Sequence, residues 1–208
     1  MNIRSFLLTL AAFALTSSLG LAQSAEDKPA TAFVRAEASE VVSIVNGVNS
    51  REERLEQLKA KMREVMDFRM LAERTLGPHW DDRTEAQRTN FIGLMRELIE
   101  TSYSRELGNE QLGDDDYRVQ FIDERERRGN FTVDSIVEVK GDAKYVSVRM
   151  TRNDAEEWRI YDVVTDDVSL VESYAESFDE IINEHGWDEL ISRIQERIDE
   201  MKQKDAAE

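Results

Sequence analysis

The 208-residue chain carries 44 acidic side chains against 27 basic ones, a net charge of −17, and contains no cysteine. Acidity on this scale excludes a nucleic-acid interface, which needs a basic footprint for the phosphates, and works against lasting adhesion to an anionic bilayer. The absence of cysteine excludes disulfides, thiol nucleophiles and thiolate metal sites, so the fold must rest on core burial alone.

The chain opens with the three parts of a cleavable secretory signal. Arg4 supplies a positive start, an apolar run extends from Phe6 to Leu21, and Gly20 and Ala22 stand at the −3 and −1 positions of a cleavage site. The predicted cut follows Ala22, with Ser24 the second choice. A retained membrane helix would need about 20 strongly apolar residues, and this stretch weakens after Leu15. The sequence therefore predicts a signal peptide over 1–22 and one exported domain over 23–208, in the periplasm.

A first helix is predicted over 29–46, with Phe33, Val41, Ile44 and Val45 near one face, closing at Asn46-Gly47. Ser50 and Glu53 form a capping box for a second helix, whose stripe is Leu55, Leu58, Met62 and Val65. Asp67 can cap a short third helix that stops at Leu76-Gly77-Pro78. Thr84 and Gln87 form another capping box; the helix behind it runs to Leu107 with Gly108 as its C-cap, and carries Phe91, Leu94, Met95, Leu98, Ile99 and Tyr103.

After a polar loop at 108–116 the apolar period changes from 3.6 to 2. Strands are predicted around Tyr117-Val119-Phe121, around Phe131-Val133-Ser135-Val137-Val139, around Val146-Val148-Met150, and over 157–164. They are joined by the turn formers Arg128-Gly129-Asn130, Gly141-Asp142 and Asn153-Asp154. Helix returns behind a third capping box, Ser169 with Glu172, carrying Val171, Tyr174, Phe178, Ile181 and Ile182; Gly186 breaks it, and a last helix carries Trp187, Ile191, Ile194, Ile198 and Met201. Helices over 29–107, strands over 117–164 and helices over 169–201 make an α+β fold. Its sheet is a curved four-stranded antiparallel meander packed by helices.

Catalytic patterns are missing. The two histidines, His79 and His185, are far apart, and no metalloprotease, nucleophile-elbow, phosphate-loop or dinucleotide motif occurs. Asp114-Asp115-Asp116 lacks the spacing of a calcium loop and reads as a solvated loop. Asp166-Asp167 reads as structural, before a helix start where carboxylates favour the dipole. Arg125, Arg127 and Arg128 read as a solvated turn. The sequence predicts no enzyme, no cofactor and no metal.

Two stretches carry a resemblance. One is Leu76-Gly77-Pro78-His79-Trp80 followed by Thr84-Glu85-Ala86-Gln87-Arg88, Phe91 and Tyr103. The other is Tyr161-Asp162-Val163-Val164 followed by Val168-Ser169-Leu170-Val171, Tyr174, Phe178, Gly186 and Leu190-Ile191. Together they resemble the MlaC family, the periplasmic phospholipid-binding proteins also described as toluene-tolerance auxiliary proteins, along nearly the whole exported domain. The chain departs from the family pattern at Asp167, where many relatives have Gly, which implies a more conventional turn. It departs again at Ala175 and Ser177, where relatives often carry Arg and Gln.

The resemblance implies a deep apolar pocket that holds the acyl chains of a phospholipid, with the headgroup at the mouth. It also implies a monomeric shuttle between an outer-membrane lipoprotein complex and an inner-membrane ABC transporter with an MCE-domain subunit, maintaining outer-membrane lipid asymmetry. The candidate lining residues are Phe91, Leu94, Leu98, Tyr103, Val133, Val137, Val146, Val148, Met150, Tyr161, Val171, Tyr174 and Phe178. The same faces could pack on each other as solid core, and periodicity does not separate the two. A ligand-free interaction module or chaperone, and a hopanoid-associated branch of the family, are the alternatives.

Overall fold

The structure is a computed structural model that describes residues 28–47, 49–108 and 116–207. The expected signal segment with its cleavage site, and most of the polar loop that includes Asp114 and Asp115, lie outside the described residues. Helices α1 (Pro29–Val45), α2 (Arg51–Val65), α3 (Phe68–Leu76) and α4 (Glu85–Gly108) precede the sheet. Strands β1 (Tyr117–Arg127), β2 (Asn130–Val139), β3 (Asp142–Arg152), β4 (Trp158–Thr165) and β5 (Val168–Ser169) follow, then α5 (Leu170–His185) and α6 (Trp187–Ala207). No helix among the described residues is long and apolar enough to cross a membrane.

The helix starts follow from local chemistry. The Glu53 amide donates to Ser50 Oγ while Glu53 Oε2 accepts from the Ser50 amide, a complete capping box. Asp67 Oδ1 accepts from the Met70 amide at 2.8 Å. Thr84 and Gln87 cap α4 reciprocally. The expected box at Ser169 is only half formed: Ser169 Oγ accepts from the Glu172 amide, but the Glu172 carboxylate turns to Arg149, 3.3 Å away. Gly108 also differs from expectation, because it belongs to α4 rather than following it. A Cβ there would stand 2.5 Å from Leu55 Cδ2, so a glycine lets the last turn of α4 lie against α2.

The sheet runs in sequence order, β1-β2-β3-β4-β5, with every pair antiparallel. The four expected strands are present, and β5 is an added two-residue strand. Three connections are two-residue turns with both residues at positive φ: Arg128-Gly129, Lys140-Gly141 and Asp166-Asp167. That geometry matches the right-handed twist of a hairpin. The third turn is therefore not the more conventional one that Asp167 implied. Aspartate tolerates the left-handed region better than most residues, and Asp166 is further held by the Tyr145 amide donating to its Oδ1 at 3.1 Å. Bulges at Ile122 and Tyr161 shift the registers of β1 with β2 and of β3 with β4 and increase the local twist.

Strand β4 and helix α5 join at one buried carboxylate. Asp162 on β4 is 1 % exposed and accepts from Arg149 Nη1 on β3 (2.9 Å), from Ser169 Oγ (2.8 Å) and from the Val171 amide (3.1 Å). The last two place the negative charge at the N-terminus of α5, where the helix dipole favours it. Burial pushes the Asp162 carboxyl up from its ordinary 3.8, and the Val171, Ser169 and Arg149 contacts pull against that rise.

Replacing Asp162 with Ala should lower stability by about 2–4 kcal/mol, since it removes a charge-assisted cap and strands Ser169 and the Val171 amide; urea unfolding measures it. Because the folded carboxyl binds its proton more tightly than the unfolded one, its contribution to stability falls as pH rises through the window just above 3.8, then stays level. The stability difference between the wild type and Asp162→Asn should change across that window and be flat from pH 6 to 8.

Candidate functional site

One cavity lies between the sheet and the N-terminal helices, with a volume of about 100 Å³. Val34, Glu37, Ala38 and Val41 of α1 form one wall, and Leu58, Lys61, Met62 and Val65 of α2, with Met66 beyond it, form another. Ile99, Tyr103 and Leu107 of α4 close the far side. Val146 and Val148 of β3, Ile160 and Val163 of β4, and Leu170 at the start of α5 make the floor. The spacing produces these walls directly: on α4 the contributors are four residues apart, and on β3 two apart.

Three members of this lining are polar. Lys61 is buried, and its ammonium lies 2.5 Å from Glu37 Oε2, 2.5 Å from Glu40 Oε2 and 3.3 Å from Glu64 Oε2. Burial pushes the Lys61 pKa down, but the hydrogen bonds and charges of Glu37 and Glu40 outweigh it, so the group titrates above its ordinary 10.5. Glu40 and Glu64 are exposed, so the outer side of this cluster faces water. Tyr103 is 9 % exposed and lines the cavity. Burial raises its pKa well above 10.0, which keeps it a neutral donor.

α1 is held across the cavity by charge at two points. At its N-terminus, Glu124 of β1 accepts from the Thr31 amide (2.7 Å) and hydroxyl (2.8 Å) and so replaces a local cap. Midway, Glu37 and Glu40 reach Lys61. Apolar packing adds Phe33 stacked on Trp158, with ring centroids 6.2 Å apart.

Of the expected lining residues, Tyr103, Val146 and Val148 are on the cavity wall. Leu94, Leu98, Val133, Val137, Met150 and Val171 pack in the continuous core beside it. Phe91, Tyr174 and Phe178 form an aromatic cluster with Trp187, with Phe91 edge-on to Phe178 and tilted on Trp187. Tyr161 is covered by the Arg74 guanidinium and donates to Asn130 Oδ1 at 3.3 Å. Sequence reading missed the α1 and α2 walls and the charged pair Glu37–Lys61. A signal for Lys61 existed, because it stands three residues after Leu58 and four before Val65, a charge inside an apolar stripe.

Three of the polar residues noted in the sequence, Arg125, His79 and Arg88, have structural partners. Arg125 Nη2 lies 2.6 Å from the buried Asp134 Oδ2, His79 Nε2 lies 2.8 Å from Asp179 Oδ1, and Arg88 donates to the Trp80 carbonyl from above the Trp80 ring.

Residues 35–196 match the sequence model of the family described as MlaC protein. The chain belongs to the MlaC family. It is 26% identical over 199 residues to the intermembrane phospholipid transport system binding protein MlaC of Haemophilus influenzae, spanning 93% of this chain and 88% of that one. A solved phospholipid-binding protein from Ralstonia solanacearum, in complex with a phospholipid, has the same fold with a TM-score of 0.71 at 19% identity, covering 82% of this chain and 97% of that one. The MlaC assignment includes both motif stretches, and the structure gives each a part in the fold: Trp80, Thr84, Gln87 and Arg88 build one helix start, and Asp162 and Ser169 another.

The Tyr103 hydroxyl carries its own check. Tyr103→Phe should change stability by less than about 1 kcal/mol, because the residue borders the cavity and the hydroxyl is removed without breaking a protein contact. A loss of about 1 kcal/mol or more in urea unfolding would mean that the hydroxyl has a partner.

Proposed function

We propose that this MlaC-family chain is a periplasmic carrier of diacyl phospholipid, holding the acyl chains in the cavity between α1, α2, α4 and the sheet, with the headgroup at the Lys61 end. The observation that carries the reading is the cavity's composition: a floor and walls of Val, Leu, Ile and Met, with charge confined to one end. A diacyl lipid has about 30 methylenes, each favouring burial by roughly 0.8 kcal/mol, so unaided passage through water is prohibitive. A dry cavity substitutes for the bilayer, and no covalent chemistry is required.

The volume sets a condition on this function. Even drug-sized ligands occupy pockets of about 300–1,000 Å³, so a cavity of about 100 Å³ must widen several-fold on loading. The N-terminal half of α1 is the wall suited to yield, since its anchors at Glu124 and Lys61 are polar contacts that water can replace, while Val41, Val42 and Val45 keep its far end in the core. The acidic surface keeps the loaded carrier off anionic membranes. Delivery then rests on docking to protein partners, of the outer-membrane lipoprotein and inner-membrane ABC transporter kinds that the family likeness suggested. The small volume also favours a second reading, a ligand-free interaction module whose helices pack on a filled core.

Native mass spectrometry of the gently purified protein separates the two. The carrier should appear with phospholipid near one-to-one, and Val148→Asp or Ala38→Trp should lose that adduct while keeping wild-type circular dichroism. A bare mass for the wild type would overturn the carrier reading. Val148→Asp retaining lipid would place the acyl chains elsewhere.

A further inference from the structure

The walls of the cavity are not fastened alike. α2 and α4 are tied to each other by Arg63, bonded to both Glu100 oxygens at 2.9 and 2.6 Å, and by the close approach at Gly108. The floor strands β3 and β4 are paired along their length. α1 differs at its first turn. α2, α3 and α4 take their N-caps from their own sequence, at Ser50, Asp67 and Thr84, whereas Lys28, at the N-cap position of α1, gives no side-chain cap. The cap comes from β1 instead: Glu124 Oε2 accepts from the Thr31 amide and hydroxyl, and the Glu124 carbonyl accepts from Lys28 Nζ at 2.9 Å. The same half of α1 touches the sheet through Arg35 over the Phe121 ring, 4.4 Å from its centroid, and through Phe33 against Trp158. Ala30, with a single methyl, is the apolar side chain that this half buries fully; the far half buries Val41, Val42 and Val45.

We propose that the N-terminal half of α1 is a lid over the cavity and that Glu124, reaching across from β1, is its latch. The inference rests on the carrier reading above and names the residue that gates loading and release. α1 holds neither Gly nor Pro from Ala30 to Val45, so it swings as a rod about the end held by Val41, Val42 and Val45. Opening breaks the Thr31 and Lys28 contacts to Glu124, and the Lys61 pairs with Glu37 and Glu40 part as the middle of the helix follows. Most of the groups set free are polar and pass to water. Pulling α2 from α4 would instead open closely packed core, where each lost contact is felt. The swing uncovers Val34 and Ala38, which line the cavity, to an entering acyl chain. In the closed state the Glu124 carboxylate also meets the positive end of the α1 dipole. Without it, the Thr31 amide is one of the first-turn donors that no carbonyl of the helix can satisfy.

The chain contains no cysteine, so Thr31→Cys with Glu124→Cys introduces the only thiols, and a short bis-methanethiosulfonate reagent bridges them reversibly. Delipidated protein is loaded with pyrene-labelled phosphatidylethanolamine or phosphatidylglycerol, each in turn, then bridged, and transfer to unlabelled phosphatidylcholine vesicles is followed. The bridged protein should transfer at least about tenfold more slowly than the same protein after dithiothreitol. Glu124→Ala should transfer about fivefold faster than wild type, the factor that a lost N-cap carries, while Glu124→Gln, which keeps an acceptor for Thr31, stays within about twofold. Hydrogen exchange gives a readout that needs no lipid: the first-turn amides of α1 should exchange about fivefold faster in Glu124→Ala, with those of α4 unchanged. If the double-cysteine variant fails to fold, the two single variants still decide. Equal transfer before and after reduction, or wild-type transfer or wild-type α1 exchange in Glu124→Ala, overturns the latch and leaves the carrier intact. Folded wild type that takes up neither labelled lipid overturns both.

Discussion

The meander ends in a helix that must leave the sheet, and the carboxylate of Asp162 makes that departure possible. It is fixed by Arg149 on the neighbouring strand and collects the Ser169 hydroxyl and the Val171 amide at the first turn of α5. Free helix amides are costly to bury and welcome a negative charge, so β4 and α5 are welded at one atom group. The packing of α5 against α3 and α6, and of α6 against α4, follows from that joint. Burial opposes the charge, as the raised pKa records. The carboxylate is tolerated because its oxygens have partners from three directions.

With the C-terminal helices fixed, the remaining question is how the N-terminal helices cover the inner face of the sheet. α2 lies close to α4, an approach that Gly108 permits by presenting no Cβ to Leu55. α1 is held by Glu124 at one end, by Lys61 in the middle, and by Val41, Val42 and Val45 buried in the core towards its other end. Between these helices and the sheet a gap of about 100 Å³ remains. In a protein interior packed to crystal density, an apolar gap of this size is a local departure from solid packing. This is where the family relation and the geometry meet. A fold shared with a phospholipid-bound protein supplies the architecture, and Lys61 with its carboxylates borders the gap.

Much of the fold was legible because its signals are local. Capping at Ser50, Asp67 and Thr84 depends on residues within three positions, and alternation along Phe131–Val139 depends on a two-residue period. Asp166-Asp167 was misread as a helix-start feature because a left-handed pair is set by the register it must close, Thr165 against Val168. Glu172 was expected to complete its box, but a carboxylate chooses among all nearby donors, and Arg149 comes from another strand. The cavity was only partly legible: Tyr103, Val146 and Val148 sit on apolar faces that the period revealed, yet so do Phe91, Val133 and Met150, which lie outside its wall.

By itself, the sequence determined the order of helices and strands, the α+β class, the export-type leader pattern, the acidic charge balance, and the two motif stretches by which the family is recognised. Each of these is a property of neighbours along the chain or of composition. Tertiary structure alone decided which apolar faces meet and which leave a gap, that Lys61 is buried beneath Glu37 and Glu40, and that Asp162 joins sheet to helix. Those outcomes depend on contacts between residues far apart in sequence, and apolar periodicity marks a face for burial without saying what will cover it.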